Sequence, residues 1–212
     1  MKHGQADTKA KNIGIYGGTF DPVHLGHVSL AFEIMEARHL DEVWFCPAVI
    51  NPFKENQRAP ISSKHRLKML QMAIEGEPRF RINDIELHRQ EPSYTVDTLR
   101  ALVAKQEGKI DPYRFSLIIG EDAAKEFYRW REPEVIISLA TILIGKRTPL
   151  VDLESWQGTD TIREALRQGI TPTRIMEISS SEIRERLSKR MYCGHLLQRK
   201  VLDYIILNDL YS

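Results

Sequence analysis

Short apolar runs alternate with stretches of helical periodicity along most of the chain. The apolar runs, which predict buried strands, cover residues 12–16, 42–47, 114–119, 140–144 and 174–178, and the alternating segment 80–87 predicts a strand with one break. Apolar residues that recur at helical spacing predict helices over residues 28–39, 63–75, 95–105, 122–129, 134–139, 161–166, 181–187 and 196–207. This order predicts an α/β fold, a Rossmann-like doubly wound parallel sheet with helices on both faces.

Length and composition narrow the class of protein. The 212 residues contain no repeat and no Gly/Ser-rich linker, so we expect a single domain over residues 12–212, preceded by a flexible polar extension at 1–11. No apolar run is long enough for a membrane span, and the extension lacks the apolar core of a secretory signal. Two cysteines, Cys46 and Cys193, cannot form a disulfide scaffold. We therefore expect a soluble cytoplasmic protein with free thiols and no membrane partner.

The charge balance excludes a general affinity for nucleic acid. Lys plus Arg is 30 and Asp plus Glu is 29, so the formal net charge is +1, and a nucleic-acid-binding face needs a clear basic excess. A local phosphate site is still compatible with this balance. In open parallel sheets, ligands bind beyond the carboxyl ends of the strands. The predicted strand ends, where we expect ligand contacts, are Gly17, Pro47, Gly120, Gly145 and Ser179.

The segment that follows the first predicted strand carries the strongest candidate site. Residues 17–27 are GGTFDPVHLGH, in which the two glycines let the backbone approach a ligand closely. His24 and His27 stand three apart near the start of a predicted helix, where both imidazoles can face an anion that the helix amides favour. Transfer of a phosphoryl or nucleotidyl group needs such donors. The alternatives are a metal pair or two solvated histidines, but no third ligand follows at the spacing of a zinc protease.

The pattern GGTFDPxHxGH resembles the signature of the nucleotidyltransferase superfamily that is related to class I aminoacyl-tRNA synthetases. Over residues 12–211 the chain is similar to the bacterial nicotinate-mononucleotide adenylyltransferases. The resemblance implies the nucleotidylyl transferase fold and an enzyme of NAD biosynthesis that joins ATP and nicotinate mononucleotide, giving nicotinate adenine dinucleotide (deamido-NAD) and pyrophosphate. We expect Mg²⁺ as the cofactor, held mainly by ATP phosphates and water, because no Asp/Glu cluster in the sequence indicates a metal site made by the protein.

A second motif, ISSSEIR, covers residues 178–184. Ser179 and Glu182 fit a capping box at the start of a helix, which is the structural alternative. The run resembles the family's ISSTxIR motif, with Ser181 in place of Thr. The resemblance implies that the three serines and Arg184 contact the β- and γ-phosphates of ATP, with Arg184 neutralising the pyrophosphate that leaves.

A third motif, SYTVDTL, covers residues 93–99. Ser93 or Thr95 could simply cap the predicted helix that begins here. The resemblance implies instead that Tyr94 and Thr95 border the pyridine ring, where backbone groups can distinguish a carboxylate from a carboxamide.

A fourth motif joins Gly120 and Asp122 to Trp130. Asp122 could be a helix cap and Trp130 could be an ordinary core residue. The resemblance implies that Gly120 and Asp122 lie near the adenosine ribose and that Trp130 stacks on the nicotinate ring.

Two basic residues on predicted loops complete the resemblance, although both loops depart from the family pattern. Lys54 lies in the loop 48–61, where this chain has Asn51 and Phe53 in place of the family's Pro and His. The resemblance implies that Lys54 approaches the triphosphate, whereas the alternative is a solvated lysine. It also implies that Arg147 contacts the phosphate of the mononucleotide, although the residues that follow Arg147 differ from the usual Pro-Gly.

These motifs define the candidate site. The predicted catalytic residues are His24, His27, Lys54 and Arg184. The predicted ATP-binding residues are Gly17, Gly18, Thr19, Phe20, His24, His27, Gly120, Asp122, Ser179, Ser180, Ser181 and Arg184. The predicted mononucleotide-binding residues are Thr19, Lys54, Tyr94, Thr95, Trp130 and Arg147. The alternatives in function are another nucleotidyltransferase of the superfamily, such as pantetheine-phosphate adenylyltransferase, or a nucleotide sensor without catalysis. The sequence leaves the oligomeric state open.

Overall fold

Six parallel strands form one sheet at the centre of the protein. The computed structural model describes residues 10–49, 61–89, 94–109, 112–145, 156–174 and 176–212. The strands are β1 (Asn12–Gly18), β2 (Glu42–Pro47), β3 (Phe80–Ile82), β4 (Arg114–Gly120), β5 (Thr141–Gly145) and β6 (Ile170–Thr171). They pair in the order β3-β2-β1-β4-β5-β6, and every pairing is parallel. The predicted α/β doubly wound sheet is confirmed.

Helices connect the strands. They are α1 (Leu25–Ala37), α2 (Ser63–Ala73), α3 (Thr95–Ala104), α4 (Glu121–Lys125), α5 (Pro133–Leu139), α6 (Asp160–Gly169), α7 (Ser180–Ser188) and α8 (Arg199–Leu207). Within the described residues, short 3₁₀ helices lie at Ile85–His88 and Phe127–Arg129. The predicted helices are present with ends that differ by a few residues, except that the predicted helix over residues 122–129 is divided into α4 and the second 3₁₀ helix. Within the described part of the chain, none of these helices is long and apolar enough to cross a membrane.

The strands bury side chains on both faces of the sheet, which gives two hydrophobic cores. In β1, Ile13 and Ile15 point to the core that contains residues of α3, α5 and α6, whereas Tyr16 points to the core with α1, α2, α7 and α8. In β4, Leu117 and Ile118 divide between the two cores in the same way. Because successive strand side chains face opposite sides, strands covered on both faces are apolar at nearly every position. This explains why the sequence shows continuous apolar runs.

The structure corrects the predicted strand over residues 80–87. Only Phe80–Ile82 pairs with β2, and the chain then turns into the 3₁₀ helix Ile85–His88. The backbone N–H of Asn83 still donates to Phe45 at 2.9 Å, but the side-chain Oδ1 of Asn83 accepts from the backbone N–H of Ile85 at 3.2 Å. Such a side-chain turn competes with strand pairing and directs the chain away from the sheet.

The predicted strand over residues 174–178 is wrong. The last strand is Ile170–Thr171, and no described residue between 172 and 179 belongs to a strand. At this edge the Arg38 guanidinium donates to the carbonyl oxygens of Gln168 and Ile170. The apolar residue Ile178 is instead buried in the core beside α1. The apolar run therefore records burial without sheet pairing, so Ser179 does not follow a strand end.

Candidate active site

A cavity opens where the order of strands reverses, beyond the carboxyl ends of β1 and β4. Its volume is about 170 Å³. The predicted site residues that line it are Gly17, Gly18, Tyr94, Thr95, Gly120 and Trp130. A Cβ added at Gly17 or Gly120 would meet nothing within 4 Å, so glycine at these two positions keeps space open that a side chain would fill. The structure thus brings three separate motifs together around one cavity.

The two histidines stand at the amino end of α1. His24 is the N-cap residue and His27 lies in the first turn, because the helix begins at Leu25 rather than at the predicted residue 28. Their rings stack with centroids 3.7 Å apart. The backbone N–H of His24 donates to Nδ1 of His27 at 3.2 Å, so a neutral His27 carries its proton on Nε2 and can act as a donor there.

The glycine between the histidines has a packing role. A Cβ at Gly26 would lie 3.1 Å from Nδ1 of His24 and 3.5 Å from Cβ of Ile178. An alanine at this position would therefore press on the buried imidazole. The glycine explains why two bulky rings can share the first turn of α1.

Phe20 fixes the loop at residues 19–24, which joins β1 to α1 and is called the first loop below. Its φ of 50° lies in the left-handed region, and its ring is only 2% exposed. The ring contacts Tyr16 and His27 at centroid distances of 5.7 and 5.1 Å. A Cβ at Gly18 would lie 2.9 Å from this ring. Phe20 therefore supports His27 from inside the protein, and its predicted contact with ATP stays a prediction.

Arg66 anchors the first loop from α2. Its side chain is 1% exposed, and Nη1 donates at 2.7 Å to both the Thr19 and the Ala48 carbonyl oxygens. Nε donates to the carbonyl of Ile61 at 3.2 Å. Burial lowers the pKa of this guanidinium, and the nearby Asp21 carboxylate acts in the opposite direction. The hydroxyl oxygen of Thr19 is buried with no hydrogen-bond partner in the described residues, which leaves it able to bond a ligand.

The amino end of α7 lies against the first loop. Ser179 caps the helix, with its Oγ accepting from the N–H of Glu182 at 3.1 Å, as the capping alternative predicts. Ser180 Oγ donates to the carbonyl of Pro22 at 2.9 Å. Arg184 donates to the carbonyl of Asp21 at 2.7 Å and to Ser181 Oγ at 3.2 Å. The residues of the ISSSEIR motif are thus held beside the GGTFDP loop, although the bonded residues lie 158 and 163 positions apart in the sequence.

The amino end of α3 differs from the capping alternative. The N-cap residue is Tyr94, which makes no side-chain cap bond among the described residues, and Thr95 is the first helical residue. Thr95 therefore does not occupy the cap position, and Ser93 lies outside the described residues. The first turn of α3 reaches the cavity wall through Tyr94 and Thr95, and no described side chain at its N-cap accepts from its amides, so these amides are suited to an anionic ligand.

Trp130 and Asp122 end up in different surroundings. Trp130 is partly buried, lines the cavity and lies against Phe127 with ring centroids 5.1 Å apart. Asp122 is exposed in the first turn of α4, whose N-cap residue is Gly120. Asp122 therefore does not cap the helix, and it does not line the cavity that Gly120 lines.

A second, smaller cleft of about 30 Å³ shares Tyr16 with the first cavity. It is lined by both histidines, by Gly145 and by residues of the segment that follows β6, among them Met176 and Ile178. The two histidines therefore line the narrow cleft, which adjoins the aromatic cavity at Tyr16. Lys54 and Arg147, the two predicted basic contacts, lie outside the described residues.

Comparison with known proteins identifies the family. The sequence model of the Cytidylyltransferase-like family matches residues 15–186. An Oceanobacillus iheyensis protein named "Probable nicotinate-nucleotide adenylyltransferase" is 36% identical over 202 residues, which are 95% of this chain and 97% of the relative. Relatives with the same name from Bordetella petrii and Bacteroides fragilis are 38% and 40% identical, and they cover 95% and 91% of this chain and 99% and 90% of their own lengths. The chain belongs to the nicotinate-nucleotide adenylyltransferase family. The predicted family and enzyme class are confirmed.

Solved structures agree with the fold of this family. The Plasmodium falciparum nicotinic acid mononucleotide adenylyltransferase complexed with NaAD has a TM-score of 0.72 at 23% identity, over 95% of this chain and 97% of that chain. The same enzyme complexed with APC has a TM-score of 0.69 over the same shares. At this identity the likeness confirms the architecture alone.

The cavity wall also contains polar residues that are not among the predicted site residues. Glu86 is buried in the 3₁₀ helix, and Thr98 donates to its carboxylate at 2.8 Å. Arg131 follows Trp130, and its guanidinium lies 4.9 Å from the centroid of the Tyr94 ring. A charged residue inside an apolar run was the signal for Glu86, and adjacency to Trp130 was the signal for Arg131. Cys46 also lines the cavity, but burial raises the pKa of its thiol, so it stays protonated.

Proposed function

We propose that the protein transfers the adenylyl group of ATP to nicotinate mononucleotide, giving nicotinate adenine dinucleotide and pyrophosphate, as a step of NAD biosynthesis. One observation carries the proposal: an aromatic cavity and the helix start that bears His24 and His27 share the carboxyl end of β1. The cavity suits a pyridine ring, and the histidines suit a triphosphate. Membership of the nicotinate-nucleotide adenylyltransferase family supports the same pair of substrates.

The nicotinate ring is proposed to lie in the aromatic cavity. Trp130 offers a flat face for stacking, and Phe127 supports it from behind. Thr95 begins α3 at the wall, where the amides of the first helical turn favour a carboxylate over a carboxamide. The backbone at Gly17 and Gly120 leaves room for the ribose and its phosphate.

ATP is proposed to lie along the smaller cleft, with its phosphates at the start of α1. His27 presents Nε2 as a donor, and the first amides of α1 add a field that favours an anion. The hydroxyl of Thr19, which has no partner among the described residues, lies on the first loop, and the guanidinium of Arg184 lies beside that loop. These groups are proposed to stabilise the charge that develops on the α-phosphate and on pyrophosphate.

The chemistry requires little beyond positioning. A phosphate oxygen of the mononucleotide attacks the α-phosphorus of ATP, a new P–O bond forms, and the bond from the α-phosphorus to the bridging oxygen breaks as pyrophosphate leaves. The attacking group is already an anion, so the step needs no covalent enzyme intermediate. Catalysis then rests on holding the two substrates in line and on donors aimed at the phosphates.

Mg²⁺ is proposed to enter with ATP. Among the described residues, no group of three His, Cys, Asp or Glu side chains is arranged to hold a metal ion. The carboxylate of the first loop, Asp21, is already bonded to Tyr211. We therefore assign no residue to the ion, whose contribution is to neutralise triphosphate charge when it is bound through phosphates and water. The buried free thiols of Cys46 and Cys193 support the proposed cytoplasmic location.

Pyrophosphate release tests the proposal directly. The purified protein is incubated with ATP, Mg²⁺ and one of three acceptors: nicotinate mononucleotide, nicotinamide mononucleotide or 4′-phosphopantetheine. We expect release with nicotinate mononucleotide and a product with the mass of nicotinate adenine dinucleotide. If only phosphopantetheine gives pyrophosphate, the protein has the other nucleotidyltransferase function. If none of the three acceptors gives pyrophosphate, an enzymatic role is contradicted.

A further inference from the structure

The carboxyl end of the chain is buried beneath the first loop. Tyr211, the second-last residue, is 3% exposed and has a φ of 68°, in the left-handed region. Its hydroxyl donates to Oδ1 of Asp21 at 2.7 Å, although 190 positions separate the two residues. This contact is a hydrogen bond between two buried side chains, so Tyr211 is part of the loop's support.

The Asp21 carboxylate lies between the Tyr211 hydroxyl and the Arg184 guanidinium. Its other oxygen, Oδ2, lies 3.9 Å from Nη1 of Arg184, and that nitrogen donates to the Asp21 carbonyl instead. Burial, and then the negative charge of Asp21, raise the pKa of the Tyr211 phenol far above its usual value. The phenol therefore stays a donor over the working pH range. Arg66 adds a second positive charge near the same carboxylate.

Removal of the phenol oxygen would leave one carboxylate oxygen buried without its donor. An unsatisfied buried carboxylate is costly, and Arg184 is a donor that could satisfy it, because its Nη1 already lies 3.9 Å from the other oxygen, Oδ2, and a rotation of the carboxylate would close this gap. A direct Arg184–Asp21 ion pair would then hold the guanidinium on the loop and lower its availability to phosphate. By donating to the Asp21 carboxylate, Tyr211 thus reduces the tendency of Arg184 to pair with that carboxylate and leaves the guanidinium available to phosphate.

We propose that Tyr211 is a positioning residue for the ATP side of the site: by donating to Asp21, it keeps the Arg184 guanidinium available to the ATP phosphates. The inference rests on the proposed function for the identity of the ligand. It assigns a role to the chain end, which the motifs of the sequence do not include.

The first test is Tyr211→Phe, which removes one oxygen and keeps the ring in its core position. We expect the KM for ATP to rise about fivefold to tenfold, while the KM for nicotinate mononucleotide stays unchanged. Tyr204→Phe is the matched control, because Tyr204 lies on α8 and its hydroxyl pairs with Nδ1 of His65 at 2.9 Å, away from the first loop. We expect wild-type KM values for that variant.

Thermal unfolding of both variants separates positioning from stability. A Tyr211→Phe variant with a lower unfolding temperature and a wild-type KM for ATP, assayed well below that temperature, would overturn the proposal. So would an equal rise in both KM values, since that would indicate general loosening. The double variant Asp21→Asn/Tyr211→Phe removes the charge that attracts Arg184, so we expect its KM for ATP to return towards the wild-type value.

A single substitution covers the case in which Tyr211→Phe does not fold. Asp21→Asn keeps an acceptor for Tyr211 and removes the competing charge, so we expect a KM for ATP at or below the wild-type value; a severalfold rise would overturn the proposal. Calorimetric titration with MgATP alone, without any acceptor, measures the same effect as a dissociation constant. The Tyr211 inference can therefore fail or stand even if nicotinate mononucleotide proves not to be the acceptor.

Discussion

The two sides of the site are built by different physical means. On the phosphate side, the first loop is held by single hydrogen bonds from distant parts of the chain, namely Arg66 of α2, Ser180 and Arg184 of α7, and Tyr211. On the other side, which is proposed to hold the pyridine ring, the cavity is lined by aromatic side chains such as Trp130 and Tyr94, and Arg131 at its wall forms exposed ion pairs. The first arrangement fixes donors at given positions, whereas the second provides a shape.

This difference predicts how each side responds to substitution. A donor that is aimed at developing charge contributes in the transition state, so its loss reduces turnover by orders of magnitude. An aromatic wall contributes area and stacking, so its loss has a graded effect on affinity. An exposed charge is screened by water and salt, so its loss has the smallest effect. The predictions below follow this order.

His27→Ala should have the largest effect. The side chain is partly exposed and its removal leaves α1 and its core residues in place, so we expect the fold to be kept. We expect kcat to fall about 10²- to 10³-fold, because a donor at the phosphates is lost. Pyrophosphate release measures the rate, and circular dichroism checks the fold.

A histidine outside the site provides the control for this substitution. His88 is exposed and pairs with Asp84 at 3.2 Å, so His88→Ala should keep wild-type turnover. Wild-type turnover in His27→Ala would remove the histidine from the mechanism and with it the contrast between the two sides.

Arg66→Met should have the largest effect on stability. The guanidinium satisfies three backbone carbonyls from inside the protein, and methionine fills a similar volume without any donor. We expect a loss of about 3 kcal/mol in the free energy of unfolding, measured by urea denaturation. The exposed pair of Arg199 with Asp203 gives the comparison, and Arg199→Met should change stability by less than about 1 kcal/mol. Equal losses would show that the first loop does not depend on its buried anchor.

Much of the phosphate side could be predicted from the sequence because its key residues are local. His24 and His27 follow a buried strand and begin a helix, and strand end, glycines and helix start are all visible within residues 12–37. The capping of α7 by Ser179 is local in the same way. Local periodicity and capping chemistry therefore give the position of these residues in the fold.

The contacts that hold the two sides together could not be predicted in this way. The bond between Asp21 and Tyr211 joins residues 190 positions apart, and no pattern in either segment refers to the other. Ile178 shows the related error, since an apolar run records burial without saying whether a strand or a loop is buried. Glu86 reached the cavity because a side-chain turn at Asn83 ended β3 early. These features depend on tertiary packing, which overrides local preference.

Trp130→Ala should change affinity for one substrate. We expect the KM for nicotinate mononucleotide to rise about tenfold or more, with little change in the KM for ATP, since Trp130 lines the aromatic cavity and not the smaller cleft. Trp130→Phe should have a smaller effect, because an aromatic face is retained. Trp44→Phe is the control, because the Trp44 indole donates to Glu42 and lies outside both openings. A rise in both KM values would show that Trp130 acts through the fold.

Arg131→Gln should have the smallest effect, and it concerns selectivity. The guanidinium lies at the cavity beside Tyr94. Its positive charge attracts a ligand carboxylate more strongly than a neutral carboxamide. It is half-exposed and pairs with Asp97 at 3.5 Å, so screening reduces its influence. We expect the ratio of kcat/KM for nicotinate over nicotinamide mononucleotide to fall about two- to fivefold, and less at high salt.

Arg129→Gln makes this last prediction decisive, because it removes the same charge only two residues away. The Arg129 guanidinium pairs with Glu126 at 2.9 Å and does not line the cavity. If net charge near the opening sets the preference, both substitutions should lower the ratio alike. If position matters, only Arg131→Gln should lower it, and Arg131→Lys should restore most of the ratio because the charge is kept. If Arg131→Gln leaves the ratio of kcat/KM for nicotinate over nicotinamide mononucleotide unchanged, the backbone amides of α3 determine the selectivity. The pyridine side would then depend on fixed donors, as the phosphate side does.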